Sequence, residues 1–162
     1  MSRGMDFDAG WIADDLGYKN GAFFSPAMYR EMLMPAHKMV CDCFKSRGKA
    51  MLMHSDGNVK ELIPLFMEMG IDCLQPLEVK AGMDLVELKK QYGHRLSLFG
   101  GIDARAMADS NPAIIEREIA IKVPFAKQGG GYLFHSDHSV PDNVSFQQYC
   151  RVMELALEYG RF

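Results

Sequence analysis

The feature that most constrains this fold is a regular alternation of short apolar runs with amphipathic helical patterns. The apolar runs that predict strands are residues 10–13, 49–53, 72–77, 96–99 and 132–134. They lack polar alternation, which favours strands covered on both faces. Because a helical pattern follows each run, the sequence predicts an α/β fold with a parallel sheet and right-handed crossovers.

Helix boundaries are signalled by residues with defined conformational preferences. Ser25 and Ser145 are good N-cap residues, and Pro26 suits the first position of a helix. Pro35 interrupts the first helical pattern, so we expect a kink or two joined helices there. The glycines at 129–131 precede a strand rather than follow one, which favours a helix stop over a phosphate-binding loop.

Bulk properties exclude several classes of protein. The chain has 162 residues, a size suited to one domain over residues 1–162, and its net charge is −3 with no basic run. A nucleic-acid partner is therefore not expected. No apolar stretch approaches the ~20 residues that span a membrane, and no signal peptide is recognised. The four cysteines form no C-x-x-C pair, so we expect reduced thiols in a cytoplasmic protein.

Polar residues concentrate where the predicted strands end. Sites in parallel α/β folds are built from the loops that follow the strands, so these residues are candidates for substrate binding or catalysis. The residues in these positions are Asp14, Asp15, His54, Ser55, Asp56, Gln75, Glu78, Asp103, His135, Asp137 and His138.

His54-x-Asp56 is the sharpest of these local features. Two residues apart on an extended segment, both side chains point the same way, so they can share a divalent cation or form an acid–base pair. Asp56 could equally cap a helix. His135 and His138 follow the last strand and approach His54 if the sheet curves, which would allow a metal set of two histidines and one carboxylate. The alternative is that these histidines are hydrogen-bonded core or surface residues.

At the same clusters, the sequence resembles the uroporphyrinogen decarboxylase superfamily, which includes corrinoid-dependent methyltransferases. The matching segments run in family order and are residues 12–17, 54–58, 82–84, 99–103, 130–134 and 136–141. The resemblance implies a TIM (β/α)₈ barrel, of which this chain is the C-terminal half to two-thirds, with about five of the eight strands. The early strands that hold a tetrapyrrole in true decarboxylases have no counterpart here, so that activity is disfavoured.

The resemblance also suggests a ligand set. The methyltransferase branch binds zinc through His-x-Cys and a later Cys, and here those positions read His54, Asp56 and His138. Because thiolates are the softer zinc ligands, this departure disfavours zinc–thiolate activation. It leaves a site for a divalent metal such as zinc or a harder ion, with Glu78 available as a fourth ligand.

Two functional hypotheses follow. In the first, the chain is a methyltransferase-like or decarboxylase-like enzyme acting on a small methylated or carboxylated compound. For methyl transfer, His54, Asp56 and His138 would be catalytic and hold a metal, a corrinoid protein would be methyl donor or acceptor, and the expected substrate contacts are Asp15, Gln75, Asp103 and His135. In a decarboxylase, no metal is needed and His138 would contact substrate.

The second hypothesis is a barrel fragment that is catalytically inactive alone. About five strands cannot close a barrel, and an open sheet exposes two edges and an apolar inner face. Exposing that surface costs about 25 cal/mol per Å². We therefore expect self-association, most simply as a homodimer. An open monomer whose helices fold over the gap is the alternative.

Overall fold

The computed structural model describes residues 6–161, which form a parallel sheet with helices in the crossovers. The strands are β1 (Ala9–Ala13), β2 (Gly17–Tyr18), β3 (Gly21–Ala22), β4 (Ala50–His54), β5 (Cys73–Gln75), β6 (Ser97–Phe99) and β7 (Tyr132–Leu133). The α-helices are α1 (Pro26–Met32), α2 (Met34–Lys45), α3 (Ile63–Met69), α4 (Leu85–Tyr92), α5 (Ala104–Met107), α6 (Pro112–Ala126) and α7 (Phe146–Gly160).

The sheet confirms the predicted α/β architecture. Its strand order is β1-β4-β5-β6-β7, and every neighbouring pair is parallel. Each strand is thus adjacent to the next one that the sequence predicts, with one or more helices between them. This arrangement is that of a partial barrel, in which β1 and β7 are the two edges of the described sheet.

Helix starts follow the capping residues that the sequence predicts. The Ser25 hydroxyl accepts a hydrogen bond from the Met28 amide at 3.2 Å, and Pro26 occupies the first turn of α1. Near Pro35 the pattern divides into α1 and α2, which meet at Leu33. At the start of α7, Ser145 forms a complete capping box, which satisfies amides that the helix itself cannot.

Two small elements were not predicted from the sequence. One is the β2–β3 hairpin, and the other is α5, which has only 4 residues. Both are too short to show hydrophobic periodicity, the signal on which the prediction depended. Both lie directly after sheet strands, so they shape the end of the sheet where the polar residues lie.

The two faces of the sheet are covered differently. In β4, Met51 and Met53 are fully buried among the helices, whereas Ala50 is exposed. Trp11 projects from the opposite, inner face of β1 and is 51% exposed. The expectation of strands covered on both faces is therefore wrong for the flank of the sheet formed by β1 and β4, because no described strand lies across from their inner face.

The sheet is strongly curved. The rings of Trp11 on β1 and Phe99 on β6 have centroids 6.2 Å apart, although β4 and β5 lie between their strands. Side chains from the two flanks therefore converge on the concave side. This curvature brings together the loops that follow β1, β4, β5, β6 and β7.

Candidate functional site

The polar residues predicted as a site lie together at the carboxyl ends of the strands. The backbone ladder continues past the strands here, because the Asp14 amide bonds to the His54 carbonyl at 3.1 Å and the Ser55 amide to the Gln75 carbonyl at 3.0 Å. Residues after β1, β4 and β5 are therefore held in register, and their side chains meet at one edge of the sheet.

Asp15, His54 and Asp56 form the central group of this site. The Oδ1 atom of Asp15 lies 3.5 Å from Nε2 of His54 and accepts a hydrogen bond of 2.9 Å from the Asp56 amide. Each side chain offers a ligand atom, and these three atoms lie within 4.8 Å of one another. Among residues 6–161, no other group of three acidic, histidine or cysteine side chains meets that spacing.

The orientation of His54 is fixed by Gln75. Nδ1 of His54 donates to Oε1 of Gln75, whose side chain is buried. Nε2 is therefore the nitrogen that faces Asp15. A histidine that binds a metal usually donates its other ring N–H to an oxygen in this way, so the geometry fits a ligand role for Nε2. Gln75, predicted as a substrate contact, also lines the adjoining cavity.

His138 and Glu78, the other predicted ligands, lie beside this group. Nε2 of His138 is 3.7 Å from Oδ2 of Asp56. Glu78 is buried, accepts a hydrogen bond of 2.6 Å from the Gly57 amide and pairs with Lys80 at 3.0 Å. In this geometry, Asp15 rather than His138 completes the three-residue group, and the Glu78 carboxylate is engaged in holding the loop that carries Asp56.

The structure places the two remaining candidates at the rim of the site. His135 donates through Nδ1 to the Ser136 carbonyl at 2.6 Å, and its ring lines the cavity. Asp103 caps α5 and pairs with Arg105 at 2.7 Å. Burial acts to raise the pKa of Asp103, but hydrogen bonds from Arg105 outweigh it and hold that pKa below its usual value.

Asp14, next to the site, faces the helices. Its carboxylate lies 3.2 Å from Nε2 of His37 on α2, and Nδ1 of His37 is 2.9 Å from the hydroxyl of the fully buried Tyr29. This contact fixes the end of β1 so that the Asp14 side chain faces the helices and the Asp15 side chain faces the site.

Asp137 lies in the predicted polar cluster after the last strand, but no specific role in the site was predicted for it from the sequence. Its buried carboxylate accepts hydrogen bonds of 2.8 Å from the amides of Val79 and Ala104, which tie together the loops after β5, β6 and β7. Burial raises the pKa of Asp137, although both hydrogen bonds oppose the rise. The sequence feature that could have identified Asp137 as a site residue is its position between His135 and His138.

A cavity of about 440 Å³ opens beside the central group on the concave face of the sheet. Trp11 forms one of its walls, and its ring contacts both His54 and Phe99, with centroids 6.5 and 6.2 Å apart. The residues that line the cavity are Trp11, His54, Asp56, Gln75, Pro76, His135, Ser136, His138, Ser139 and Val140.

Close backbone packing at glycines holds the loops of the site in place. A Cβ on Gly57 would lie 2.3 Å from the carbonyl carbon of Gly17, so the β2–β3 hairpin packs directly on the loop that carries Asp56. A Cβ on Gly100 would lie 2.1 Å from the Pro76 carbonyl oxygen. The absence of a side chain at Gly100 thus allows another backbone segment to approach closely.

No cysteine joins the central group. Cys73 lies on β5 two residues before Gln75, but burial, together with the neighbouring Asp72 carboxylate, raises the pKa of the thiol to about 12. A protonated thiol is a poor metal ligand. Two carboxylates and one imidazole fit a borderline or hard divalent cation better than a site for thiolate-bound zinc.

Comparisons with known proteins agree with this architecture. Residues 8–159 match the family model described as uroporphyrinogen decarboxylase (URO-D). No curated protein matches the sequence. Among solved structures, a methyltransferase from Methanosarcina mazei superposes with a TM-score of 0.68 at 19% sequence identity.

That superposition covers 95% of this chain but only 43% of the methyltransferase chain. The chain therefore spans less than half the length of this structural neighbour, as a partial barrel would. Among the described helices, none combines the length and the apolar character needed to cross a membrane.

Proposed function

Since this chain belongs to the uroporphyrinogen decarboxylase family, we propose that it carries the metal-binding part of a methyltransferase-like active site. The observation that carries the proposal is the convergence of Asp15, His54 and Asp56 at the carboxyl ends of the strands, beside a cavity large enough for a small molecule. His54, Asp56 and His138 remain the residues expected to be catalytic.

The chain's own residues have separate roles in this proposal. Asp15, His54 and Asp56 would hold a divalent cation, with His138 next to Asp56 as a further ligand or a polar contact to substrate. Gln75 orients His54. A bound divalent cation would lower the pKa of an acceptor thiol and so favour the nucleophilic thiolate. We further propose that a corrinoid protein supplies or accepts the methyl group.

Metal binding is tested by titration calorimetry of the purified, metal-free chain with Zn²⁺, Co²⁺ and Mn²⁺. We expect near-stoichiometric binding that His54→Ala, Asp15→Asn and Asp56→Asn each abolish or weaken by at least about tenfold. Asp42→Asn is the matched control, because Asp42 is a similarly exposed carboxylate on α2. Absence of uptake of all three ions would leave these residues a hydrogen-bonding role only.

Decarboxylation of uroporphyrinogen is disfavoured. That substrate carries many carboxylates, yet the described residues that line the cavity include no lysine or arginine. Incubation of the purified chain with uroporphyrinogen should yield no coproporphyrinogen. Measurable product would overturn the methyltransferase-like assignment.

An inert, self-associating fragment is the second candidate function, favoured by the apolar surface at the ends of the sheet. The face of α7 exposes Phe146, Met153 and Leu157, at 76%, 38% and 66%. At the other end, α1 and α2 expose Met32 and Met39 at 69% and 72%. Large apolar side chains exposed in groups on these helices favour association, for which a homodimer is the simplest form.

A further inference from the structure

The cavity beside the central group combines an aromatic wall with negative charge. Trp11 is half exposed and lines the cavity. Phe99 makes a T-shaped contact with Trp11 and a second one with the His135 ring, whose centroid lies 5.2 Å away. Aromatic side chains from β1, β4, β6 and the end of β7 thus form a continuous row along the concave face.

The described residues that line the cavity include one carboxylate, that of Asp56, and three imidazoles, those of His54, His135 and His138. Asp56 lines it directly, and Asp15 lies 3.5 Å from the His54 ring that lines it. No lysine or arginine is among its described lining residues. In the adjoining cavities, Lys80 pairs with Glu78 at 3.0 Å and Arg105 with Asp103 at 2.7 Å. These two cations are compensated by carboxylates of their own, whereas Lys19 lines an adjoining cavity together with Asp15 and Asp56.

We propose that this cavity binds a small organic cation with a methylated ammonium head, packed against the face of Trp11 with Asp56 and Asp15 as counter-charges. Tryptophan is the most effective aromatic partner for a cation, and methylated ammonium groups are recognised by aromatic faces combined with acidic groups. A neutral molecule of the same shape would gain the apolar contact but not the electrostatic attraction.

This inference goes beyond the proposed metal site and does not rest on it, because an ammonium group and a divalent cation would compete for the same carboxylates. The binding itself requires no metal. Binding of a divalent cation by Asp15 and Asp56 would neutralise the same carboxylates, so the test is made in buffer that contains a chelator. A failure of metal binding and a failure of ammonium binding are then separate results.

The test compares choline with 3,3-dimethyl-1-butanol, in which carbon replaces the charged nitrogen and the shape is retained. Because Trp11 is the one tryptophan of the chain, its fluorescence reports on the cavity wall. We expect choline to change this fluorescence and to bind several-fold to about thirtyfold more tightly than the neutral alcohol, the range that a cation–π contact provides.

Substitutions test whether the preference for choline over the neutral alcohol arises in this cavity. Asp56→Asn and Trp11→Leu should each reduce the ratio of the two affinities toward one, measured by calorimetry because Trp11→Leu removes the fluorophore. Asp42→Asn should leave the ratio unchanged, and Trp11→Phe should retain part of it if Trp11→Leu fails to fold. Equal affinities for choline and the alcohol, no binding of choline, or a ratio that Asp56→Asn leaves intact would each overturn the proposal.

Discussion

The imidazole of His54 donates through Nδ1 to the side-chain oxygen of Gln75, which is the next strand's residue in direct register. The parallel pairing of β4 with β5 sets this contact, since it places the two side chains on the same face of the sheet. The consequence is that Nε2, and not Nδ1, is presented to Asp15.

Removal of this support should weaken metal binding. In Gln75→Leu, the Nδ1–H group loses its acceptor and the ring is free to turn, so we expect the affinity for Co²⁺ or Zn²⁺ to fall about 10- to 100-fold. Titration calorimetry gives the affinity, and Gln91→Leu on the exposed side of α4 is the control. If both variants bind metal like the parent chain, the contact does not orient a ligand.

The contact between Gly57 and Gly17 should be sensitive to a single methyl group. Gly57 has a φ of +80°, and a Cβ there would lie 2.3 Å from backbone. Gly129 has a φ of +71° but no atom within 4 Å, so Gly129→Ala measures the conformational strain alone, about 1–2 kcal/mol. Urea denaturation should show Gly57→Ala to be less stable than Gly129→Ala by about 1–3 kcal/mol. Equal losses of unfolding free energy in the two variants would mean that the β2–β3 hairpin moves away from the added methyl group at no energetic cost.

Cys73 should make the protein less stable at alkaline pH. Its pKa is about 12 in the folded chain, raised from 9.0 by burial and by Asp72. Between these values the unfolded state loses the thiol proton first, so the free energy of unfolding falls as the pH rises from 9 toward 12. Denaturation series over pH 9–11 should show a shallower fall for Cys73→Ala, with Cys150→Ala as the control. If the unfolding free energies of Cys73→Ala and the parent chain fall equally steeply with pH, the burial of this thiol is contradicted.

The apolar stripe on α7 should support self-association. Phe146, Tyr149, Met153 and Leu157 recur at helical spacing and are all exposed. Light scattering coupled to size exclusion at low micromolar concentration should show a dimer, which Leu157→Glu shifts toward monomer. Glu158→Gln, on the neighbouring position, is the control. A clean, stable monomer of the parent chain that binds no hydrophobic dye would exclude this association.

Most strands and helices could be predicted because their signals are local. The break near Pro35 follows from the missing amide of proline, and the start of α7 follows from the capping box of Ser145 and Gln148. The β2–β3 hairpin has no such signal. Its position depends on the contact between Gly17 and Gly57, which are 40 residues apart and have no periodic pattern.

The sequence by itself determined the order of the elements, the parallel sheet and the edge of the sheet at which the polar residues collect. Those properties depend on hydrophobic periodicity, capping residues and the direction of the chain. Tertiary structure decided which of the polar residues meet. Curvature and strand register bring Asp15 to His54 and Asp56, direct Glu78 to the Gly57 amide, and leave Trp11 on the wall of a cavity. Distances between separate loops depend on how the strands pack, and no local pattern encodes them.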